Sequence, residues 1–246
     1  MIMRGWFAIY YRELLILKRR FFRQAASMSV SPILYIVAFG FGMGKDVTLH
    51  GHPYIEFLIP GLMAMTSMTQ AFAIASEINI ARFYWRIFEE FQAAPISHLA
   101  YAAGEVLAGL TRALLSCSII IGLSLLIGVS LSYNVYFWAA LVLNALFFAS
   151  LAVCLAMLVR SHADQMLFAN FIITPMGFLG GTFFPIERMP AWAQKLLSIL
   201  PITHATSAMR TAAFGGSPGA RSYLLLFFLW IIAFGAAVYM IKKAKD

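Results

Sequence analysis

The residues best equipped for chemistry sit between the first two apolar runs, where Asp46, His50, His52 and Glu56 fall within eleven residues. Imidazole and carboxylate groups that close together can hold a zinc ion or exchange protons. Their spacing fits no metal motif, and polar side chains in a short loop between two spans are ordinarily just solvated. His98, His162 and His204 are scattered along the chain. Cys117 and Cys154 fall inside apolar runs, where a thiol behaves as a small apolar group, so neither a disulfide framework nor a metal site is expected. The sequence contains no G-x-x-x-x-G-K-[ST] run with which to cradle ATP phosphates. The expectation is therefore a chain with no catalytic residues and no metal or cofactor of its own, with a membrane-embedded enzyme kept as a rival reading.

What must position these residues is a membrane bundle. The 246 residues are 62% hydrophobic and 11% charged, with a mean hydropathy of +0.83, more apolar surface than a soluble core of this size could hide. Crossing roughly 30 Å of hydrocarbon takes about 20 apolar residues per helix, and each helix must close its own hydrogen bonds. The fold class expected is an all-α integral membrane protein with six transmembrane helices, forming a single transmembrane domain over 1–246. The spans are read as Ser27–Gly44, Phe57–Ser76, Thr111–Val129, Tyr136–Val159, Gln165–Phe183 and Ser222–Ile241. Pro32, Pro60-Gly61 and Pro175 should bend or break the first, second and fifth. No internal repeat or low-complexity tract divides the chain.

Charge orients the bundle. Arg4, Arg12, Lys18, Arg19, Arg20, Arg23, Arg82, Arg86, Arg160, Lys242, Lys243 and Lys245 fall on one side, and Lys45, Arg188, Lys195, Arg210 and Arg221 on the other. The positive-inside rule then puts both termini in the cytoplasm. Arg112, near the inner end of the third span, is expected to snorkel to the interface. The net charge of +8 is mostly membrane-surface charge facing lipid headgroups, and no folded basic face argues for nucleic acid.

Three segments flank the spans. Residues 1–26 carry Trp6, Ile9, Tyr10, Leu14 and Leu17 at helical spacing, with Arg12, Lys18, Arg19 and Arg20 largely elsewhere, as expected of an uncleaved helix lying in the interface. Residues 77–103 hold a short amphipathic helix over Arg82–Gln92, with Phe83, Ile87 and Phe91 on one side, Arg86, Glu89 and Glu90 on the other, and Pro95 behind. Ser97 should open the next helix. This helix is either an interfacial anchor or a handle that docks on a cytoplasmic motor. Residues 184–210 hold two proline-bounded pieces, with Trp192, Leu196, Leu197 and Leu200 sharing a face of the first. They read as a re-entrant hairpin in the outer leaflet, tolerated only when packed on protein or lining a cavity.

With those pieces in view, the chain resembles the membrane subunit of type-2 ABC exporters, the family of drug-resistance, polysaccharide-export and nodulation-factor permeases. The resemblance rests on Phe57-Leu-Ile-Pro60-Gly61-Leu, on Arg86…Glu89-Glu90-Phe-Gln-Ala-Ala-Pro95-Ile-Ser97, and most specifically on Gly181-Thr-Phe-Phe184-Pro185…Met189-Pro190-Ala-Trp192…Leu200-Pro201-Ile-Thr-His…Arg210. It implies two permease subunits, identical or closely related, joined to two separately encoded cytoplasmic ATPase subunits that bind ATP and Mg, in a bacterial inner membrane. Under that reading Arg86, Phe88, Glu89, Glu90, Phe91 and Pro95 couple to the ATPase. Gly181, Phe184, Pro185, Pro190, Trp192, Pro201 and Arg210 then shape the outer hairpin or gate. Thr66, Thr69, Gln70, Asn170 and Thr174 either line a path at the dimer seam or hold helices together. The substrate expected is amphipathic, lipid-linked, drug-like or polysaccharide and moves outward. An ion-coupled secondary transporter is the alternative, against which almost every charge sits at a span end.

Overall fold

A computed structural model describes residues 5–49, 51–159 and 161–244, without the side chains of Glu89 and Gln92. Arg4, His50, Arg160, Lys245 and the Glu89 side chain, all given roles above, therefore lie outside the described residues.

Helix α1 (Gly5–Arg19) leads into α2 (Phe21–Tyr35), which loosens into a π-helical stretch over Ile36–Met43, just beyond Pro32. A two-residue hairpin, β1 (Thr48–Leu49) on β2 (His52–Pro53), turns the chain into α3 (Tyr54–Phe72). Then α4 (Ile74–Asn79) continues it and runs into a π-helical turn, Ile80–Tyr84. After α5 (Ile87–Ala93) come α6 (His98–Leu126), α7 (Val135–Leu158), α8 (His162–Phe168) and, past a π-helical turn, α9 (Thr174–Leu179). A 3-10 turn at Ile186–Arg188 precedes α10 (Ala191–Leu197), α11 (Pro201–Ala213) and α12 (Ala220–Lys243).

Five runs among the described residues are long and apolar enough to cross a membrane: Phe21–Met43, Tyr54–Tyr84, His98–Leu126, Val135–Leu158 and Ala220–Lys243. The run expected as a fifth of six spans, Gln165–Phe183, is instead helical over 162–179 and is not among the five. Its first turns carry His162, Asp164 and Gln165, which dilute its apolar character. Proline acts unequally. The ladder changes to π spacing just ahead of Pro175, whereas α3 runs unbroken through Pro60. Pro60 removes one ladder bond in the second turn of α3, and packing against α6, α7 and α11 holds the helix through it, so the break expected at Pro60-Gly61 does not form.

Helix α3 is the axis of the bundle: every residue from Phe57 to Met68 is buried, packed by α6, α7 and α11. Small residues let the backbones close up. A Cβ on Gly109 of α6 would stand 2.8 Å from the Ala149 Cβ of α7 and 3.0 Å from the Ala71 carbonyl of α3. At the same crossing the Asn144 amide donates to Ser67 Oγ at 2.8 Å and to the Ala64 carbonyl at 3.2 Å, the kind of bond that holds helices together in lipid. Around this core α2 with its π-helical continuation, and α12, present exposed apolar faces, Val30, Ile33, Leu34, Val37 and Phe41 on the first and Phe228 and Ile232 on the second, which only lipid or another apolar surface can cover.

Candidate coupling and gating sites

The second span ends at Tyr84, and a corner follows where Arg86 takes a left-handed backbone, φ 52°. That conformation costs about 1 kcal/mol or more outside glycine, and it splits what was expected as a single helix over 82–92. Only Ile87–Ala93 remains as α5. Ala94 is extended ahead of Pro95, and the Ser97 side chain accepts from the Ala100 N–H at 3.1 Å, capping α6 as expected.

The aromatic face of α5 does not point outward. Phe88 is 1% exposed, edge-on to Tyr101 with ring centroids 5.6 Å apart, and the Arg82 guanidinium lies 5.3 Å from its ring. Phe91 packs on Tyr101 at 5.5 Å and takes the Arg12 guanidinium over its face at 4.8 Å. Of the two rings expected to enter a groove on a motor, Phe88 is instead held within the chain and Phe91 is half-buried, because the ends of α1 and α6 offer the nearest apolar cover. Exposed at the corner are Tyr84, Trp85, Arg86, Glu90 and Pro95. Neither Tyr84 nor Trp85 is among the coupling residues expected from the sequence: the periodicity that put Phe88 and Phe91 forward sets Tyr84 beside the apolar side and gives Trp85 no signal.

Behind the corner lies a lattice of charges. Arg12 bridges Glu13 at 2.6 Å and the fully buried Glu105 at 3.3 Å. Burial works against the Arg12 charge, and the Glu105 and Glu13 carboxylates outweigh it, raising its pKa above the ordinary value. Tyr10 bonds Thr111 at 2.8 Å. Arg112 does not snorkel: it is 6% exposed and paired with Glu77, a carboxylate of the second span, at 2.9 Å. Arg82 donates to the Ala156 carbonyl, and the Asn79 and Gln165 amides meet. Breaking one partner of such a buried pair costs about 3–5 kcal/mol, so α1, α4, α6 and the α5 corner are held as a unit.

At the opposite end, Gly180 and Gly181 (φ 79°) turn α9 toward Phe184 and Pro185. Phe183 sits among Tyr35, Phe39 and Phe178, and its carbonyl accepts from Tyr54 Oη at 2.7 Å. Arg210 of α11 reaches across, donating from Nε to the Phe57 carbonyl at 3.2 Å and from Nη2 to the Gly181 carbonyl at 2.8 Å, while its guanidinium lies 3.5 Å from the Phe57 ring centroid. Burial lowers its pKa from the ordinary arginine value to about 9. Gly61 permits the approach: a Cβ there would stand 2.6 Å from the Thr182 carbonyl. On α10 the shared apolar face divides, with Trp192 and Leu196 exposed and Ala193 and Leu197 buried. Pro190 is exposed, and Pro201 starts α11, which packs along α3 and α7.

Of the residues assigned to a path, Thr66 is buried within the chain, because α3 is enclosed on all sides at that level. Thr69 and Gln70 are partly buried, and Asn170 and Thr174 are exposed. Thr69 Oγ1 donates to the Thr66 carbonyl and Thr174 Oγ1 to the Ala169 carbonyl, within their own helices. His52 pairs with Glu56 at 2.9 Å and stacks on Phe214 with centroids 4.0 Å apart. Asp46 is exposed.

Comparison with known proteins places this architecture among transporters. The ABC-2 type transporter family matches residues 4–214. The chain is 30% identical over 206 residues to the inner membrane transport permease YadH of Escherichia coli K12, covering 80% of this chain and 79% of that protein. It is 27% identical over 218 residues to nodulation protein J of Rhizobium meliloti, covering 86% and 82% respectively.

Proposed function

Because the chain belongs to the ABC-2 type transporter family, and is thus a multi-pass membrane subunit of a transporter, we propose that it is the permease half of an ATP-driven exporter. In this reading ATP and Mg bind on two copies of a separate cytoplasmic ATPase, and two permease subunits, identical or closely related, form the conduit. The 162–179 helix serves as a further, shorter span, both termini are cytoplasmic, and the α10–α11 hairpin lies in the outer leaflet. The observation that carries the coupling role is the exposed Tyr84-Trp85-Arg86 corner, held rigidly by the Arg12–Glu105 and Arg112–Glu77 pairs. A motor pushing there would move α1, α4 and α6 together. The substrate proposed is amphipathic or lipid-linked, in keeping with short loops at the hairpin end that leave no room for a capture domain. Buried ionisable groups would favour ion coupling instead, yet each carboxylate here is paired with an arginine beside the proposed coupling surface.

Purified alone, the chain should turn over no ATP, and it should copurify with the ATPase when the two are coexpressed. A lipid and metabolite comparison between a deletion strain and its parent tests the cargo. Accumulation of an amphipathic compound inside the deletion cells supports export, and failure to take up a soluble nutrient would overturn it.

A further inference from the structure

A pocket of about 210 Å3 opens between α11, the Gly180-Gly181 turn and the start of α3, with Phe57, Glu187, Thr203, Thr206, Ser207, Arg210 and Phe214 in its lining. Two of its polar groups keep donors to spare. The Thr206 hydroxyl is buried, with the residue 1% exposed, and has no hydrogen-bond partner among the described residues; a buried hydroxyl left unpaired destabilises the fold. The Arg210 guanidinium spends Nε and Nη2 on backbone carbonyls, which satisfy donors but bring no negative charge, and among the described residues no carboxylate lies within ion-pair distance of it. Thr203 and Thr211 have bonded their hydroxyls to the Leu197 and Ser207 carbonyls, so Thr206, Ser207 and the third guanidinium nitrogen remain for a ligand. Hydroxyls and a planar guanidinium on one wall are a donor set for a tetrahedral oxyanion.

We propose that this pocket binds a phosphate group, carried either by a lipid or by a soluble phosphate compound. It is too small for a whole drug-sized ligand, whose sites run from about 300 Å3 upward, and suits a headgroup. Glu187 lies on the rim and is exposed; its charge opposes the anion and limits affinity. The inference stands apart from export, since it concerns binding to the permease alone.

The test uses the full chain in a neutral, phosphate-free detergent, with thermal unfolding and titration calorimetry as readouts. The probes are inorganic phosphate, glycerol 3-phosphate and phosphatidylglycerol, with chloride at matched ionic strength as control. Saturable stabilisation by at least one phosphate probe and none by chloride is expected. Response to the soluble probes identifies a free phosphate compound as the source, and response to phosphatidylglycerol alone identifies a lipid headgroup. Thr206→Val replaces an unpartnered hydroxyl by a methyl of similar volume, so the ligand-free protein should unfold no earlier, while phosphate affinity falls about tenfold. Glu187→Gln should tighten binding about threefold. No saturable response to any probe, or equal affinity in Thr206→Val and the unaltered protein, would overturn the assignment.

Discussion

Arg210 and Arg12 are the two cations on which the ends of this molecule turn, and they act differently. Arg210 spans two backbone carbonyls and an aromatic ring, a geometry that depends on the planar fork of guanidinium. Arg210→Lys keeps the charge but cannot reach both carbonyls, and thermal unfolding in detergent should show a loss of about 1.5–3 kcal/mol. Gly61→Ala pushes a methyl against the Thr182 carbonyl that Arg210 also approaches, and a cost of about 1–3 kcal/mol is expected. Arg12 instead ties two acids together, Glu13 and the fully buried Glu105. Arg12→Ala leaves both without their shared cation and should cost about 3–5 kcal/mol. Adding Glu105→Gln should restore most of it, so the double variant unfolds later than Arg12→Ala alone. Simple additivity in that cycle would mean the pair is not coupled.

The α5 corner shows how far a sequence can be read for an element of this kind. Ser97 as a cap and the stop before Pro95 were legible because capping and proline act within one turn. That an amphipathic, aromatic segment links the two long spans was legible too, although it was expected as one helix over Arg82–Gln92. What periodicity could not give is the left-handed turn at Arg86, since nothing in the residue type demands it. Nor could it say which side of α5 faces the protein, because an apolar stripe looks the same whether its own chain or a partner covers it. Phe88→Ala should therefore open a cavity and destabilise the fold by about 3–5 kcal/mol, seen as a lower unfolding temperature of the permease alone. Trp85→Ala should leave that temperature unchanged and weaken copurification of the ATPase by about 2 kcal/mol, the scale of an interfacial aromatic. If the two variants exchanged these outcomes, α5 rather than the corner would be the docking surface. The charge lattice was less legible still: Arg112 lies 35 residues from Glu77 and Arg12 93 residues from Glu105, and only packing reveals these pairs.

On the scale of the whole molecule, a single chain leaves no room for a conduit around α3, which is buried from Phe57 to Met68. A path must then lie where this chain meets another surface, and the polar residues that remain accessible near α3 point to one side: Thr69 and Gln70 on α3, with exposed Asn170 and Thr174 in the neighbouring helix. That helix is docked on α3 through Gly177, where a Cβ would stand 2.9 Å from the Met65 side chain, so its outer face is free to meet a second permease. The native thiols complicate a crosslinking test little, because Cys117 is buried and Cys154 only partly accessible; both can be replaced by alanine or serine. In that background Asn170→Cys should form an intersubunit crosslink in native membranes when the ATPase is coexpressed. Thr66→Cys, enclosed by its own chain, should not. If Asn170→Cys gave no dimer and a cysteine at Val37 or Phe228 did, the seam would run along α2 or α12, and the path would have to be sought there.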